Sequence, residues 1–280
     1  MYRRMLLVWR PWRTVTNTAA MIGEIMSVDL FEINAGKYRC ERCGMRGWCI
    51  GYCSEGARSG CNNGVHGRQR VQHAGSHLFR VGDPFQSLYV VRSGSVKTYL
   101  TSEDGEEQIL GFHQPGDIVG FDAIARERHP CSAAALETSS VCTLSFHRLT
   151  KLCQESPQLL SRLVEMMSRE TLRLTDSLLL GRRSAEQRVA IFLLVQAERQ
   201  AERGYSPTAL TLSMSRTDIG KYLGLTVETV SRILTRFQDL GLLAKERNQI
   251  RINGLDELRQ LTGEIDAHAY DGPAGKIAAL

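Results

Sequence analysis

The sequence predicts an α+β fold in which a β-domain is followed by a long helix and a second, smaller domain. Three observations carry this prediction: short strands separated by turns, a sustained apolar heptad stripe after Pro157, and two closely spaced helices near the C-terminus. Regularly spaced short strands are typical of β-sandwiches and barrels. We expect an N-terminal extension over 1–39, a Cys-rich segment over 40–75, the β-domain over 72–155, the long helix over 156–183, the second domain over 184–262 and a tail over 263–280.

The N-terminal region is basic and holds most of the cysteines. Residues 1–39 have no clear period, so we expect them to be disordered or loosely attached. No apolar run approaches the ~18–20 residues of a membrane span, and the first apolar patch is too short for a signal peptide. Eight cysteines in 280 residues are too sparse for a disulfide scaffold. We therefore expect a cytoplasmic protein whose clustered thiols bind metal.

The segment CERCGMRGWC places Cys40, Cys43 and Cys49 within ten residues. Three thiols at this spacing indicate a metal site that needs a fourth ligand from elsewhere in the chain. Four thiolates suit a 4Fe–4S cluster and also suit zinc, so the spacing alone leaves both metals open. The glycines that follow, up to residue 75, predict mostly loop.

The β-domain is predicted from strands and turn signals. SLYVVR, SVKTYLT and the two halves of AAALETSSVCTLSF are the clearest strands. TSEDGEEQ holds the Asp-Gly pair of a tight hairpin, and HQPGD holds a Pro-Gly turn. We expect five glycines at the corners of the domain: Gly82, Gly94, Gly105, Gly116 and Gly120.

The long helix is expected to begin at Pro157, with Ser156 as its N-cap. Its apolar stripe steps by four and three residues, which is the pattern of a coiled-coil seam. The stripe consists of Leu160, Val164, Met167, Thr171, Leu174 and Leu178. We interpret it as a homodimer interface; the alternative is a helix whose stripe lies on its own β-domain.

The second domain begins with a helix over 184–203, whose predicted buried side is Val189, Ile191, Phe192, Leu194 and Val195. A helix from Thr217 to Leu223, Gly224 and a helix capped by Thr226 then form a helix-turn-helix pattern. Two short strands around Glu246–Asn248 predict a wing. Residues 181–260 carry 13 basic against 9 acidic residues, which fits a nucleic-acid partner only weakly.

The second helix of this pair has two distinct sides. Its inner side is Val230, Ile233, Leu234 and Phe237, and its outer side is Glu228, Ser231, Arg232 and Thr235. An arginine can donate to guanine O6 and N7, and a glutamate can accept from cytosine N4. Lys245, Arg247 and Arg251 are placed for phosphate contacts. The alternative is a helical hairpin with ordinary surface charges.

At this point the chain resembles a regulator of the CRP/FNR family, specifically the FNR subgroup of oxygen-responsive transcription factors, over roughly Cys40 to Leu261. The matching stretches are CERC-x5-C, LFRVGDPFQSLYVVRSGSVKTY, GEEQILGFHQPGDIVGFDAI, ALETSSVC and DIGKYLGLTVETVSRILTRFQ. The resemblance implies a jelly-roll sensory domain, a long dimer helix and a C-terminal winged helix. It also implies a 4Fe–4S cluster held by Cys40, Cys43, Cys49 and Cys142, whose loss in oxygen separates the dimer.

The resemblance further implies a TTGAT-N4-ATCAA-like palindrome as the DNA partner and RNA polymerase as a second partner, contacted near Arg126–Pro130 and Glu103–Glu107. The expected DNA-binding residues are Arg216, Thr226, Val227, Glu228, Ser231, Arg232 and Thr235. Such members regulate genes of anaerobic or low-oxygen metabolism. Two departures from the family are the glycine-rich stretch that follows Cys49 and the long extension before Cys40.

Several alternatives remain. Cys131 is the main rival to Cys142 as fourth ligand, and Cys53 could ligate if its loop folds differently; Cys61 and Cys153 are interpreted as incidental thiols. Cyclic nucleotide binding is not expected, because Phe121 occupies the position of the ribose-binding carboxylate and no arginine adjoins Ser132. A zinc-stabilised DNA-binding protein is a further hypothesis. An enzyme is not expected, since no acid–base constellation appears and each histidine is interpreted as a surface or turn residue.

Overall fold

The computed structural model describes residues 68–246 and 249–262 and begins with the β-domain. The strands of this domain are β1 (Arg68–Gln72), β2 (His77–Phe79), β3 (Ser87–Ser93), β4 (Val96–Thr101), β5 (Glu107–His113), β6 (Ile118–Val119), β7 (Ser132–Ala135) and β8 (Ser139–Ser145). They form two four-stranded antiparallel sheets, with the orders β1-β8-β3-β6 and β2-β7-β4-β5.

Six helices and a small sheet follow in the described chain. The helices are α1 (Phe146–Glu155), α2 (Pro157–Leu180), α3 (Ala185–Glu202), α4 (Arg216–Leu223), α5 (Val227–Asp239) and α6 (Leu255–Leu261). The strands β9 (Ala209–Thr211), β10 (Leu243–Glu246) and β11 (Gln249–Ile252) form an antiparallel sheet in the order β10-β11-β9. This arrangement confirms the predicted α+β class, with a β-domain, a long helix and a winged helix-turn-helix domain.

Two apolar clusters organise the β-domain. One cluster contains Phe79, Val91, Val96, Val119, Cys131, Ala133 and Val141, which come from both sheets. The other lies on the far side of the first sheet, where Leu88, Val90 and Leu144 meet Leu149 of α1 and Leu163 of α2. Leu88 and Leu144 are paired across β3 and β8, and so are Val90 and Cys142. We call the side of the first sheet that carries this second cluster its outer face.

The five glycines predicted at the corners all have positive φ: Gly82, Gly94, Gly105, Gly116 and Gly120. Gly94 is also in close contact with a neighbouring strand, because a Cβ added there would lie 2.3 Å from the Ser139 Oγ. Only glycine combines this backbone conformation with such a short approach.

Three sequence expectations were wrong in detail. The β-domain begins before the predicted residue 72, because Arg68–Gln72 forms the edge strand β1 of the first sheet and pairs with β8. Helix α1 was not predicted, since its residues read as the end of the β-domain. The histidines are not all on the surface, because His113 and His129 are 5% and 2% exposed.

The regions 1–67, 247–248 and 263–280 lie outside the described residues. The expectations for the N-terminal extension, for Cys40, Cys43, Cys49, Cys53 and Cys61, for Arg247 and for the C-terminal tail therefore remain untested. Along the described chain, none of the helices combines the length and the apolar character that crossing a membrane requires.

Candidate nucleic-acid interface and cluster-ligand site

Helix α5 presents the polar face that the sequence predicts. Val230, Leu234 and Phe237 are buried in the core of the C-terminal domain. Among the residues of the outer side, Glu228, Arg232 and Thr235 are exposed and Ser231 is half-buried. The exposed side chains follow one face of the helix, so this face is available to enter a major groove.

The two helices of the helix-turn-helix are fixed at their ends by local hydrogen bonds. Ser215 and Asp218 form a capping box at the start of α4, and the Thr226 side chain accepts from the Thr229 backbone N–H at the start of α5. Gly224 ends α4 in the left-handed region, as the sequence predicts. Gly220 was missed: a Cβ there would lie 2.6 Å from the Leu225 carbonyl oxygen.

Arg216 and Ser231 are brought together across the two helices. The Arg216 Nη1 donates to the Ser231 Oγ at 3.1 Å, and both residues belong to the predicted DNA-binding set. Arg232 donates weakly to the Thr229 Oγ1, at 3.4 Å, and its side chain remains exposed. The Arg232 guanidinium is therefore exposed on the outer side of α5, whereas the Arg216 guanidinium is hydrogen-bonded to the hydroxyl of Ser231.

The C-terminal domain is joined to the β-domain by contacts that the sequence reasoning missed. The Lys97 Nζ lies 2.8 Å from the Glu107 Oε2 and 3.1 Å from the Asp218 Oδ1 on the first turn of α4. The Tyr222 ring packs against Phe112 of β5 at a centroid distance of 5.3 Å. Lys97 and Asp218 are 121 residues apart, so no local pattern indicates their contact.

Asp117 lies where the β-domain, α2 and α3 meet. Its Oδ1 accepts from the Arg173 Nη2 of α2 at 3.1 Å, and its Oδ2 accepts from Arg199 of α3 and from the Gln114 backbone N–H at 2.8 Å. Arg199 also donates to the Phe112 carbonyl oxygen at 2.9 Å. Burial raises the pKa of Asp117, but the two guanidinium groups outweigh burial and hold this pKa well below its usual range. The carboxylate is therefore charged at neutral pH.

The predicted dimer stripe on α2 faces away from the β-domain. Its six residues, Leu160, Val164, Met167, Thr171, Leu174 and Leu178, are all exposed, and Leu178 is 80% exposed. The face that packs on the β-domain is the neighbouring one, which carries Leu159, Leu163 and Met166. The alternative that the stripe lies on its own β-domain is therefore contradicted.

Cys142 lies in β8, with its side chain on the outer face of the first sheet. It is half-buried and packs against the same apolar cluster as Leu159, Leu163 and Met166. Gln69 of β1 is paired with Cys142 across the sheet. Strand β1 therefore lies directly beside Cys142 in the first sheet.

Cys131 differs from Cys142 in its surroundings. It is 2% exposed, packs in the cluster between the two sheets, and donates from its Sγ to the Asp122 Oδ2 at 3.2 Å. Burial and the neighbouring Asp122 raise the pKa of the Cys131 thiol. A thiolate ligand is disfavoured in such a position.

Phe121 and Ser132 lie at the positions where the family resemblance would place nucleotide contacts. Phe121 begins a 3-10 turn, Phe121–Ala123, and the Ser132 Oγ accepts from the Val81 backbone N–H at 3.1 Å. Within residues 68–246 and 249–262, no three His, Cys, Asp or Glu side chains lie close enough to hold a metal ion. Of the four predicted metal ligands, Cys142 is the one that the described chain contains.

Comparison with known proteins supports both halves of the architecture. Residues 69–156 match the cyclic nucleotide-binding domain, and residues 187–261 match the Crp-like helix-turn-helix domain. The chain is 44% identical to the fumarate nitrate reduction regulatory protein of Klebsiella oxytoca over 246 residues, which covers 87% of this chain and 98% of that protein. It is also 44% identical to the fumarate and nitrate reduction regulatory protein of Escherichia coli K12 over 245 residues, with the same coverage.

A solved structure is similar as well. FixK2 from Bradyrhizobium japonicum superposes with a TM-score of 0.64 at 32% identity, over 70% of this chain and 96% of FixK2. A transcriptional regulator of the CRP family from Thermus thermophilus superposes with a TM-score of 0.57 at 20% identity over 69% of this chain and 96% of its own, a similarity of fold alone. A cyclic nucleotide-binding fold does not by itself imply that a nucleotide binds.

Proposed function

Since the chain belongs to the CRP/FNR family of DNA-binding transcription regulators, in its FNR subgroup, we propose that it binds a palindromic operator as a homodimer when a 4Fe–4S cluster is intact. It is a regulator and not an enzyme. The observation that carries the proposal is the position of Cys142, on the sheet face that also supports the stripe-bearing helix α2. Because the relatives are named for fumarate and nitrate reduction, we propose that the target genes serve anaerobic or low-oxygen metabolism.

The operator contacts are assigned to the outer side of α5. Arg232 would donate two hydrogen bonds to a guanine, and Glu228 would accept from a cytosine N4. Thr226, Val227 and Thr235 would contact bases or phosphates at the groove edges. A TTGAT-N4-ATCAA-like palindrome fits this proposal, since a two-fold dimer presents the same helix to each half-site.

The homodimer is assigned to the stripe on α2. Five of its six residues are apolar and exposed to water, although the neighbouring face of the same helix is already buried. An apolar surface of this kind is stabilised by pairing with a second copy of the helix. Thr171 interrupts the apolar stripe. A threonine at this position contributes less to the pairing energy than a leucine would.

The cluster is assigned to Cys40, Cys43, Cys49 and Cys142. Four cysteine thiolates are the usual ligand set for a 4Fe–4S cluster, which when bound supplies an oxygen-labile link between distant parts of a chain. Cys142 is half-buried and borders the strand through which the chain enters the sheet, so it fits the role of a fourth ligand. The chain from Cys49 to Gln69 can span up to about 66 Å when extended, and its length therefore permits Cys49 to reach Cys142.

Cys142 is connected to the dimer helix through packing. Its side chain shares an apolar cluster with Leu159, Leu163 and Met166 of α2. Ligation would tie the N-terminal segment to Cys142, beside this apolar cluster. It would thereby hold α2 in the position in which its stripe pairs with a second copy of the helix. Loss of ligation would release the segment and shift the balance from dimer to monomer.

Two surfaces are assigned to RNA polymerase. They are the turn Glu103–Glu107 and the loop Arg126–Pro130. Residues 103–106 and 126–128 are exposed, whereas Glu107 and Pro130 are half-buried and His129 is buried. Glu127 in this loop has a φ of 54°, which is unusual for a residue with a side chain. No cyclic nucleotide is assigned to the β-domain, since Phe121 replaces the carboxylate and the hydroxyl of Ser132 is bonded to the Val81 backbone.

The proposal is tested by the absorbance spectrum of protein purified without air, together with iron and sulfide assays. We expect a brown protein with about four iron and four sulfide per subunit, which bleaches in air. Cys142→Ser should give a colourless monomer, whereas Cys131→Ser should keep both the colour and the dimer. Zinc in place of iron, or a cluster that survives Cys142→Ser, would contradict the proposal.

A further inference from the structure

Arg188, in the first turn of α3, binds three backbone carbonyl groups at once. Its Nε donates to the Arg183 carbonyl oxygen, its Nη2 to that of Gly181 and its Nη1 to that of Leu223, each at 3.0 Å. Gly181 and Arg183 belong to the short link between α2 and α3, and Leu223 is the last residue of α4. One side chain therefore contacts both the link after α2 and the end of α4, the first helix of the helix-turn-helix.

The chemistry of the contact explains why an arginine is present. Leu223 ends α4, and the last carbonyl groups of a helix have no partner within the helix and carry a partial negative charge. The carbonyl groups of Gly181 and Arg183 lie in the link, outside both flanking helices. A guanidinium group is always charged and has five donors in a rigid plane, so it can serve carbonyls that approach from different directions. A lysine side chain has a single nitrogen in place of the three guanidinium nitrogens. A lysine at this position could therefore not reach all three carbonyl groups.

The link that Arg188 holds is the covalent connection between the stripe-bearing helix α2 and the C-terminal domain, which carries α5, called here the reading helix. It comprises residues 181–184, and α3 begins directly after it with Ser184 as its N-cap. Other contacts of the C-terminal domain, such as Lys97 with Asp218, join it to the β-domain. Arg188 instead joins the end of α2 to the end of α4, which precedes the reading helix by three residues.

We propose that Arg188 is a positioning residue that sets the spacing between operator half-sites, an inference that rests on the proposed two-fold dimer. In such a dimer the two α2 helices lie at the two-fold axis, so the direction of each reading helix depends on the angle between α2 and the helix-turn-helix. One additional base pair between the half-sites moves the second by about 3.4 Å and turns it by about 35°. Two of the Arg188 hydrogen bonds hold the link and the third ties it to the end of α4, so the link tolerates little of that change. A link without these hydrogen bonds tolerates more.

The test is a spacer series measured by fluorescence anisotropy on the anaerobically purified, cluster-containing protein. The labelled DNAs carry the same two half-sites separated by three, four or five base pairs, and a fourth DNA carries a single half-site. The variants are Arg188→Gln and Arg188→Lys. The matched control is Arg182→Gln, which removes the same charge from an exposed residue of the same link.

We expect the unaltered protein and Arg182→Gln to prefer the four-base-pair spacer by about tenfold, or ~1.4 kcal/mol. Both Arg188 variants should reduce that preference to about twofold, with single-half-site affinity within about twofold of the unaltered protein. An Arg188→Gln or Arg188→Lys protein that loses affinity equally on every spacer, or that keeps the full preference, would overturn the inference. Should Arg188→Gln fail to fold, Arg188→Lys, which keeps the charge, decides the question.

The outcome for the unaltered protein is separate from the outcome for the variants. Equal binding of the unaltered protein to all spacers would contradict the two-fold dimer of the proposed function. A clear spacer preference in the unaltered protein that persists in both Arg188 variants would leave the dimer intact and would reject the role of Arg188 alone.

Discussion

Replacing Asp117 by asparagine removes a buried charge that two arginines share. Asp117 is 11% exposed and its partner Arg199 is 15% exposed, whereas Arg173 is 43% exposed and contributes less because water screens it. The amide oxygen of asparagine can still accept from the Gln114 backbone N–H, so the turn keeps that hydrogen bond. The main effect is that the Arg199 guanidinium loses its buried counter-charge.

The expected loss in the free energy of unfolding follows from the burial of this ion pair. Breaking a buried ion pair by removing one partner destabilises a protein by ~3–5 kcal/mol. We expect the lower end of this range, about 3 kcal/mol, because Arg199 keeps its hydrogen bond to the Phe112 carbonyl oxygen. The control Arg173→Gln should lower the free energy of unfolding by less than about 1 kcal/mol.

The assay is urea unfolding followed by circular dichroism at neutral pH and at lower pH values. Because the folded-state pKa of Asp117 is depressed, its contribution is complete above the unfolded-state pKa of ~3.9 and falls as the pH decreases towards the folded-state value. The difference between the unaltered protein and Asp117→Asn should therefore shrink in acid. A difference below about 1 kcal/mol at neutral pH, or one that grows in acid, would refute the reasoning.

Three further predictions concern the interfaces. Arg232→Ala should weaken operator binding by ~1–3 kcal/mol and should remove the preference for one base pair of the half-site. Anisotropy on operators with single base-pair substitutions measures both effects. An equal loss on all sequences would mean that Arg232 touches only phosphate. Leu178→Asp should convert dimer to monomer in analytical ultracentrifugation without lowering the melting temperature of the monomer, since Leu178 is 80% exposed; a retained dimer would exclude the stripe. Leu163→Ala, at a site that is 7% exposed, should instead destabilise the folded subunit by ~2–5 kcal/mol in urea, and a smaller loss would contradict its packing role.

Local patterns in the sequence predict local structure well in this chain. The two sides of α5 follow from the spacing of Val230, Leu234 and Phe237, and the end of α4 follows from Gly224. The corners of the β-domain follow from glycines that all prove to have positive φ. These features depend on neighbouring residues, so their physical causes are visible in a short stretch of sequence.

Contacts between distant residues could not be predicted in this way. Lys97 and Asp218 are 121 residues apart, and Arg199 and Asp117 are 82 residues apart. In the sequence, Arg188 is indistinguishable from an ordinary charged residue of an amphipathic helix. Its acceptors are backbone carbonyl groups, which every residue has, so no residue type indicates the contact. The neighbours of Cys142 in the sheet likewise depend on strand register, which places Gln69 on one side of it and Val90 on the other.

The most direct test of the proposed switch is operator binding by one anaerobic preparation before and after exposure to air. Anisotropy of a labelled palindromic operator would report DNA binding, and the absorbance of the same sample would report the cluster. We expect tight binding by the brown protein and a loss of binding in parallel with bleaching. Unchanged operator binding after complete bleaching would contradict the claim that the cluster controls the dimer.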